Sequence, residues 1–174
     1  SKEEIKASSS TIRDGWVAGG KFIKKFEDEI KNFTKAKHAI SCINGTSALH
    51  LALRAIGASK DNEILMPSVS FIATANATIY NNSSPIFLDV DMDTMGLSPV
   101  SVNNFLNEFG ELREDGCYNK STGRKISACV PMHTFGFPCR IKEIAEICNE
   151  WGIPLIEDTA ESLGSYVGED HTGT

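Results

Sequence analysis

Apolar positions along this chain alternate between two rhythms. Between Lys21 and Thr34, Phe22, Ile23, Phe26, Ile30 and Phe33 share one face at helical spacing, which predicts an amphipathic helix. The short β-branched run from His38 to Ile43 predicts a strand. After it come Asn44-Gly45-Thr46-Ser47 and an Ala- and Leu-rich stretch that stops at Gly57. Asn-Gly can close a hairpin, but the residues that follow are helix formers ended by a glycine. The reading is therefore strand, glycine turn, helix. Further on, the pattern predicts a strand at 63–66 halted by Pro67 and a helix at 71–80 broken by Asn81-Asn82-Ser83-Ser84-Pro85. A buried-type strand follows at 86–90. Ser98 or Ser101 then caps a helix running to about Phe109. Residues 110–125 are polar, with Asp115-Gly116 and Thr122-Gly123 turn signals, and predict a hairpin-like excursion. A strand at 126–132, a helix at 141–151 and a strand at 153–156 complete the pattern. Residues 1–14 show no such pattern and read as a mobile segment.

Strands that alternate with helices imply an α/β fold with a mostly parallel sheet and right-handed crossovers. Ligands of such sheets sit beyond the carboxyl ends of the strands. Functional side chains are therefore expected just after each strand.

Composition narrows the classes. Lys plus Arg number 17 against 23 Asp plus Glu, a net charge of −6. That balance, without a basic cluster, argues against nucleic acid as a partner. No run of 18 apolar residues is present, so no membrane span is expected. The polar stretch from Ser1 to Ser10 shows no secretory pattern. Five cysteines without a C-x-x-C pair suggest free thiols in a reducing, cytoplasmic setting.

Three constellations carry candidate chemistry. Gly45-Thr46-Ser47 opens a helix after a predicted strand. Free N–H groups and the positive helix end favour an anion such as phosphate there; the plainer reading is a capped tight turn. The segment fits neither G-x-G-x-x-G nor G-x-x-x-x-G-K-[ST]. Asp158, after Pro154-Leu155-Ile156-Glu157, places a carboxylate at a strand end, where it can pair with a protonated ring nitrogen. Glu161, three residues on, can reach a neighbouring polar atom of the same ligand. The plainer reading of Asp158 is a helix cap. Phe71, after Pro67-Ser68-Val69-Ser70, can stack on a flat ligand, although a Phe at a helix start more often joins the core.

Two further patterns are set aside. Cys129-x3-His133-x5-Cys139 lacks a fourth ligand at zinc spacing. Asp89-Val90-Asp91-Met92-Asp93 begins like a calcium loop but has Thr94 and Val100 where Gly and Glu are needed. No metal is expected. Of the histidines, His133 is the one placed near the crevice.

Taken jointly, these segments resemble the DegT/DnrJ/EryC1/StrS family of sugar aminotransferases. The resemblance runs from Gly15-Trp16-Val17 and Phe26-Glu27 through Asn44–Leu49, Pro67–Asn76, Asp89-Val90-Asp91 and Pro131–Gly136 to Glu157–Gly164. It implies a type I aminotransferase large domain: three layers, α/β/α, around a mostly parallel sheet. It implies pyridoxal 5'-phosphate as cofactor. Gly45, Thr46 and Ser47 would hold its phosphate, Phe71 its ring face, Asp158 its ring nitrogen and Glu161 the region of its phenolic oxygen. The polar excursion from Glu111 to Arg124 resembles the subgroup that acts in legionaminic acid or bacillosamine biosynthesis. A UDP-linked 2-acetamido-4-keto-6-deoxyhexose and the amino donor glutamate would then be the substrates, and the enzyme a homodimer. The resemblance places the Schiff-base lysine beyond Thr174. Residues 15–174 would form the N-terminal part of a large domain truncated at its C-terminus, without the small C-terminal domain and inactive alone. Two alternatives stay open: a pyridoxal phosphate-dependent sugar dehydratase, and a non-catalytic remnant that binds a phosphate ligand.

Overall fold

A computed structural model describes residues 1–15 and 17–174, in two compact units, Ser1–Ser41 and Cys42–Thr174. Trp16 of the Gly15-Trp16-Val17 segment lies outside the described residues. In the first unit, Lys2–Arg13 forms helix α1, within the 1–14 segment whose sequence shows no periodic pattern. The cause is local. Ser1 Oγ accepts the Glu4 N–H at 3.3 Å, and Ser-x-x-Glu is a capping box. Helix α2 spans Lys21–Thr34, as its periodicity predicts, and ends at Lys35 in the left-handed region, φ 65°.

The strand expected at 38–43 does not form. No ladder pairs this run among the described residues, and Ile40 is 76% exposed. A strand requires backbone partners along its length. Here the Glu27 carboxylate takes the Ser41 N–H and hydroxyl, each at 2.9 Å. These two bonds hold the Glu27 carboxyl below its ordinary range.

In the second unit, strands β1 (Asn62–Pro67), β2 (Ser84–Leu88), β3 (Gly110–Arg113), β4 (Gly116–Asn119) and β5 (Lys125–Cys129) form one sheet in the order β2-β1-β5-β4-β3. β1 lies parallel to β2 and β5, while β3 and β4 make the antiparallel hairpin the polar segment predicts. Helices α3 (Gly45–Ala55), α4 (Ile72–Tyr80), α5 (Pro99–Phe109) and α6 (Ile141–Glu150) cover the sheet. β1 shows how. Its side chains alternate, so Ile64 and Met66 enter a core with Leu49, Leu53, Ala73 and Ala77 of α3 and α4. Leu65 enters the opposite core with Val102, Leu106, Ile144 and Cys148 of α5 and α6. A central strand apolar on both faces needs helices on both faces, and the result is the three-layer α/β/α arrangement.

The strand predicted at 153–156 is reduced to isolated parallel bridges, Cys129↔Leu155 and Met132↔Asp158. The segment still follows the end of β5. Cys129 N donates to Pro154 O at 2.9 Å, Ile156 N to Cys129 O at 3.0 Å and Asp158 N to Pro131 O at 2.9 Å. Pro131 has no N–H to continue the ladder, so β5 stops at Cys129 short of the predicted 132. Among the described residues no helix is long and apolar enough to cross a membrane.

Candidate functional site

The carboxyl ends of β1 and β5 open onto a cavity of about 280 Å³. Gly45, Thr46 and Leu49 reach it from the start of α3, and Phe71 and Ala73 from the turn after β1. Met132 comes from the chain after β5, and Asp158, Ala160 and Glu161 from the stretch beside it. Five of the six residues singled out by sequence thus share one cavity, and Ser47 does not line it.

Asn44 caps α3: its Oδ1 accepts the Ser47 N–H at 2.8 Å. That donor is therefore used within the turn. The N–H groups of Gly45 and Thr46 belong to the first helical turn, which has no intrahelical acceptors. They have no hydrogen-bond partner among the described residues, and both residues line the cavity at the positive helix end. An anion there would meet donors that are already oriented.

Phe71 is the extended N-cap of α4, φ −71° and ψ 142°, and the residue is 66% exposed rather than in the core. Its N–H points to Met132 Sδ at 3.5 Å.

Asp158 is 5% exposed. Its Oδ2 accepts the Thr74 hydroxyl at 2.8 Å, and its Oδ1 accepts the Ala160 N–H at 3.3 Å. Among the described residues no Lys, Arg or His pairs with it. A buried carboxylate with neutral donors alone has acceptor capacity left for a cationic N–H. Sequence reasoning missed Thr74. It sits one turn from Phe71 on α4, and its role emerges only when α4 packs near residue 158.

Glu161 has a second engagement. Its Oε2 accepts the Phe135 N–H at 2.6 Å. Phe135 is left-handed at φ 56°, ψ 22°, and Gly136 follows at φ 83°. A Cβ on Gly136 would meet the Glu161 carbonyl oxygen at 2.8 Å, so this turn requires glycine.

His133 does not open on the cavity. It is fully buried, with Nδ1 accepting the Cys139 N–H at 3.2 Å and Nε2 against Glu157 Oε2 at 2.8 Å. The Cys139 thiol is pushed up to about 12, first by burial and then by the Glu157 charge. The acids of the Asp89–Asp93 run serve an ion-pair cluster: Asp91 and Asp93 both bind the Arg140 guanidinium, Asp93 at 2.6 Å.

The family model for DegT/DnrJ/EryC1/StrS aminotransferases matches residues 1–174. The chain is 32% identical over 172 residues to GDP-perosamine synthase of Vibrio cholerae, covering 98% of this chain and 42% of the relative. The fold superposes on the crystal structure of 3-amino-5-hydroxybenzoic acid synthase with TM-score 0.85 and 25% identity, covering 99% of this chain and 41% of the other. For DesI in the presence of its TDP-sugar product, the TM-score is 0.82 at 27% identity, with 98% of this chain and 39% of the other covered. The chain therefore spans about two fifths of the length of the proteins it matches.

Proposed function

The chain belongs to the DegT/DnrJ/EryC1/StrS aminotransferase family, and from that premise we propose that it carries the cofactor half of a pyridoxal phosphate-dependent sugar aminotransferase. One observation supports the reading above the rest. A helix N-terminus with two unpaired N–H groups, a buried carboxylate without a cation among the described residues and an exposed aromatic residue line the same cavity. That donor and acceptor set suits a phosphorylated, flat, N-protonated ring.

In this reading Gly45 and Thr46 bind the phosphate through their N–H groups, and Phe71 lies on one ring face. Asp158 holds a proton at the ring nitrogen. Thr74 and Ala160 orient that carboxylate by occupying one lone pair on each oxygen. Ser47 contributes through its turn, and Glu161 shares the rim with its bond to Phe135. When bound, pyridoxal phosphate supplies an electron-withdrawing ring that stabilises negative charge on the carbon exchanging its amine.

For substrates, the proposal is a UDP-linked 2-acetamido-4-keto-6-deoxyhexose as acceptor and glutamate as donor. Similarity to GDP-perosamine synthase and to DesI supports a nucleotide-linked sugar. The β3–β4 hairpin carries the segment that resembles the legionaminic acid and bacillosamine subgroup. A homodimer completes the proposal. Ile72, Ile79, Tyr80 and Phe87 are exposed apolar side chains that further protein surface would cover.

The full-length protein, given pyridoxal phosphate, glutamate and the UDP-linked keto sugar, should yield the amino sugar by mass spectrometry. The GDP- and TDP-linked keto sugars serve as competitors. Failure to aminate any nucleotide-linked keto sugar would overturn the proposal. Phe71→Ala should weaken cofactor retention about fivefold on dialysis, because aromatic stacking contributes about 1 kcal/mol beyond area. Unchanged retention would remove Phe71 from the binding face.

A further inference from the structure

We infer that Glu157 is a positioning residue for Asp158, acting as a double acceptor that locks the backbone on which Asp158 is mounted. This rests on the proposed role of Asp158. Successive side chains of extended backbone point to opposite sides. Asp158 faces the cavity, whereas the Glu157 carboxylate accepts on one oxygen from two separate segments. His133 Nε2 lies 2.8 Å from Oε2, and the Gly173 N–H donates to the same Oε2 at 2.9 Å.

The geometry fixes the direction of the first bond. Because Cys139 N–H donates to His133 Nδ1, that nitrogen is the acceptor, and the ring proton sits on Nε2 facing Glu157. His133 is wholly buried and cannot turn to another partner. Its own backbone N–H donates to Asp158 O at 3.2 Å. His133 therefore grips both members of the Glu157-Asp158 pair, one by side chain and one by main chain.

Gly173 closes the lock from the other side. At φ 83° it approaches so closely that a Cβ would meet Thr159 Cγ2 at 2.8 Å. Thr172 secures the approach, with its N–H on Ser165 O at 3.0 Å and its hydroxyl against Ser162 Oγ at 2.9 Å. Without the Glu157 acceptor, the His133 Nε2–H and the Gly173 N–H would both lose their partner, and the backbone that carries Asp158 would keep its main-chain bonds to Pro131 and His133 but lose the anchors on the residue before it.

The test uses the full-length protein. Glu157→Ala should lower kcat about ten- to a hundredfold, as displacements near 1 Å do, with KM for both substrates within about twofold. Hydrogen exchange at the Gly173 amide should accelerate in the same variant. Glu157→Gln should restore kcat to within about threefold, because its carbonyl oxygen accepts both N–H groups without a charge. Wild-type turnover in Glu157→Ala, or a Glu157→Gln variant as impaired as Glu157→Ala, would overturn the inference. If Glu157→Ala does not fold, Glu157→Asp keeps the charge but falls one methylene short; wild-type turnover in that variant also overturns it. Asp158→Asn assayed alongside separates the two ideas. Full turnover there defeats the proposed function itself, whereas an impaired Asp158→Asn beside an active Glu157→Ala defeats only the role of Glu157.

Discussion

Replacing Asp158 by Ala in the full-length protein is expected to cut turnover by about 10²- to 10⁴-fold. The magnitude follows from burial. Asp158 is 5% exposed, and among the described residues its carboxylate is bound by the Thr74 hydroxyl and the Ala160 N–H alone. A protonated ring nitrogen beside it would be a buried ion pair, and breaking such a pair by deleting one partner costs about 3–5 kcal/mol. At 1.36 kcal/mol per tenfold in rate, the stated range results if the loss falls on the reacting state. Asp158→Asn sharpens the test. It keeps the shape and an acceptor for Thr74 but loses the charge, so it should fall nearly as far as Ala. Steady-state kinetics, with a melting curve to confirm folding, measures both. An Asn variant within about threefold of wild type would mean that the charge of Asp158 plays no part.

The elements legible in the sequence are those set by local pattern. The period of Phe22, Phe26, Ile30 and Phe33 gives the bounds of α2, and Gly45 with Gly57 brackets α3 closely. The run at 38–43 misleads because an apolar run shows a wish for a partner, not the partner. Residues 153–156 fail more narrowly. The neighbour exists, but Pro131 interrupts the ladder, and that follows only once the two segments are known to be adjacent. The helix at 2–13 was readable from Ser1 and Glu4, since the capping signal is local.

The site divides along the same line. Phe71 was accessible because a doubly wound sheet gathers the residues after its strands, Asp158 and Glu161 because their segment follows the end of β5, and Gly45 and Thr46 because a glycine before a helix-forming run marks a helix start. The occupied Ser47 N–H was also readable, from Asn44 three residues before it. Thr74 on Asp158, Glu161 on the Phe135 turn and Glu157 between His133 and Gly173 join residues distant in sequence. No spacing rule reaches them. They depend on which helix crosses which strand end.

Leu65→Ala is expected to have the largest effect on stability, a loss of about 2–5 kcal/mol, seen as a lower urea midpoint of the full-length protein. Leu65 is fully buried in the central strand β1, with Ile86 beside it on β2 and Cys129 on β5. Its neighbours are held by two parallel ladders and by α5 and α6, so they cannot collapse into the space left behind. Both the transfer term and the cavity term therefore apply. Leu112→Ala provides the contrast: on the edge strand β3, Leu112 is 57% exposed, and its loss should stay within about 0.5 kcal/mol. Equal midpoints for the two variants would show that β1 is not the stabilising centre of the sheet. The distinction bears on the site, because β1 delivers Pro67 to Phe71 at its carboxyl end and β5 leads to Met132. A sheet that loosens at Leu65 loosens the wall between Phe71 and Asp158, so cofactor retention should fall in Leu65→Ala at urea concentrations where Leu112→Ala still retains it.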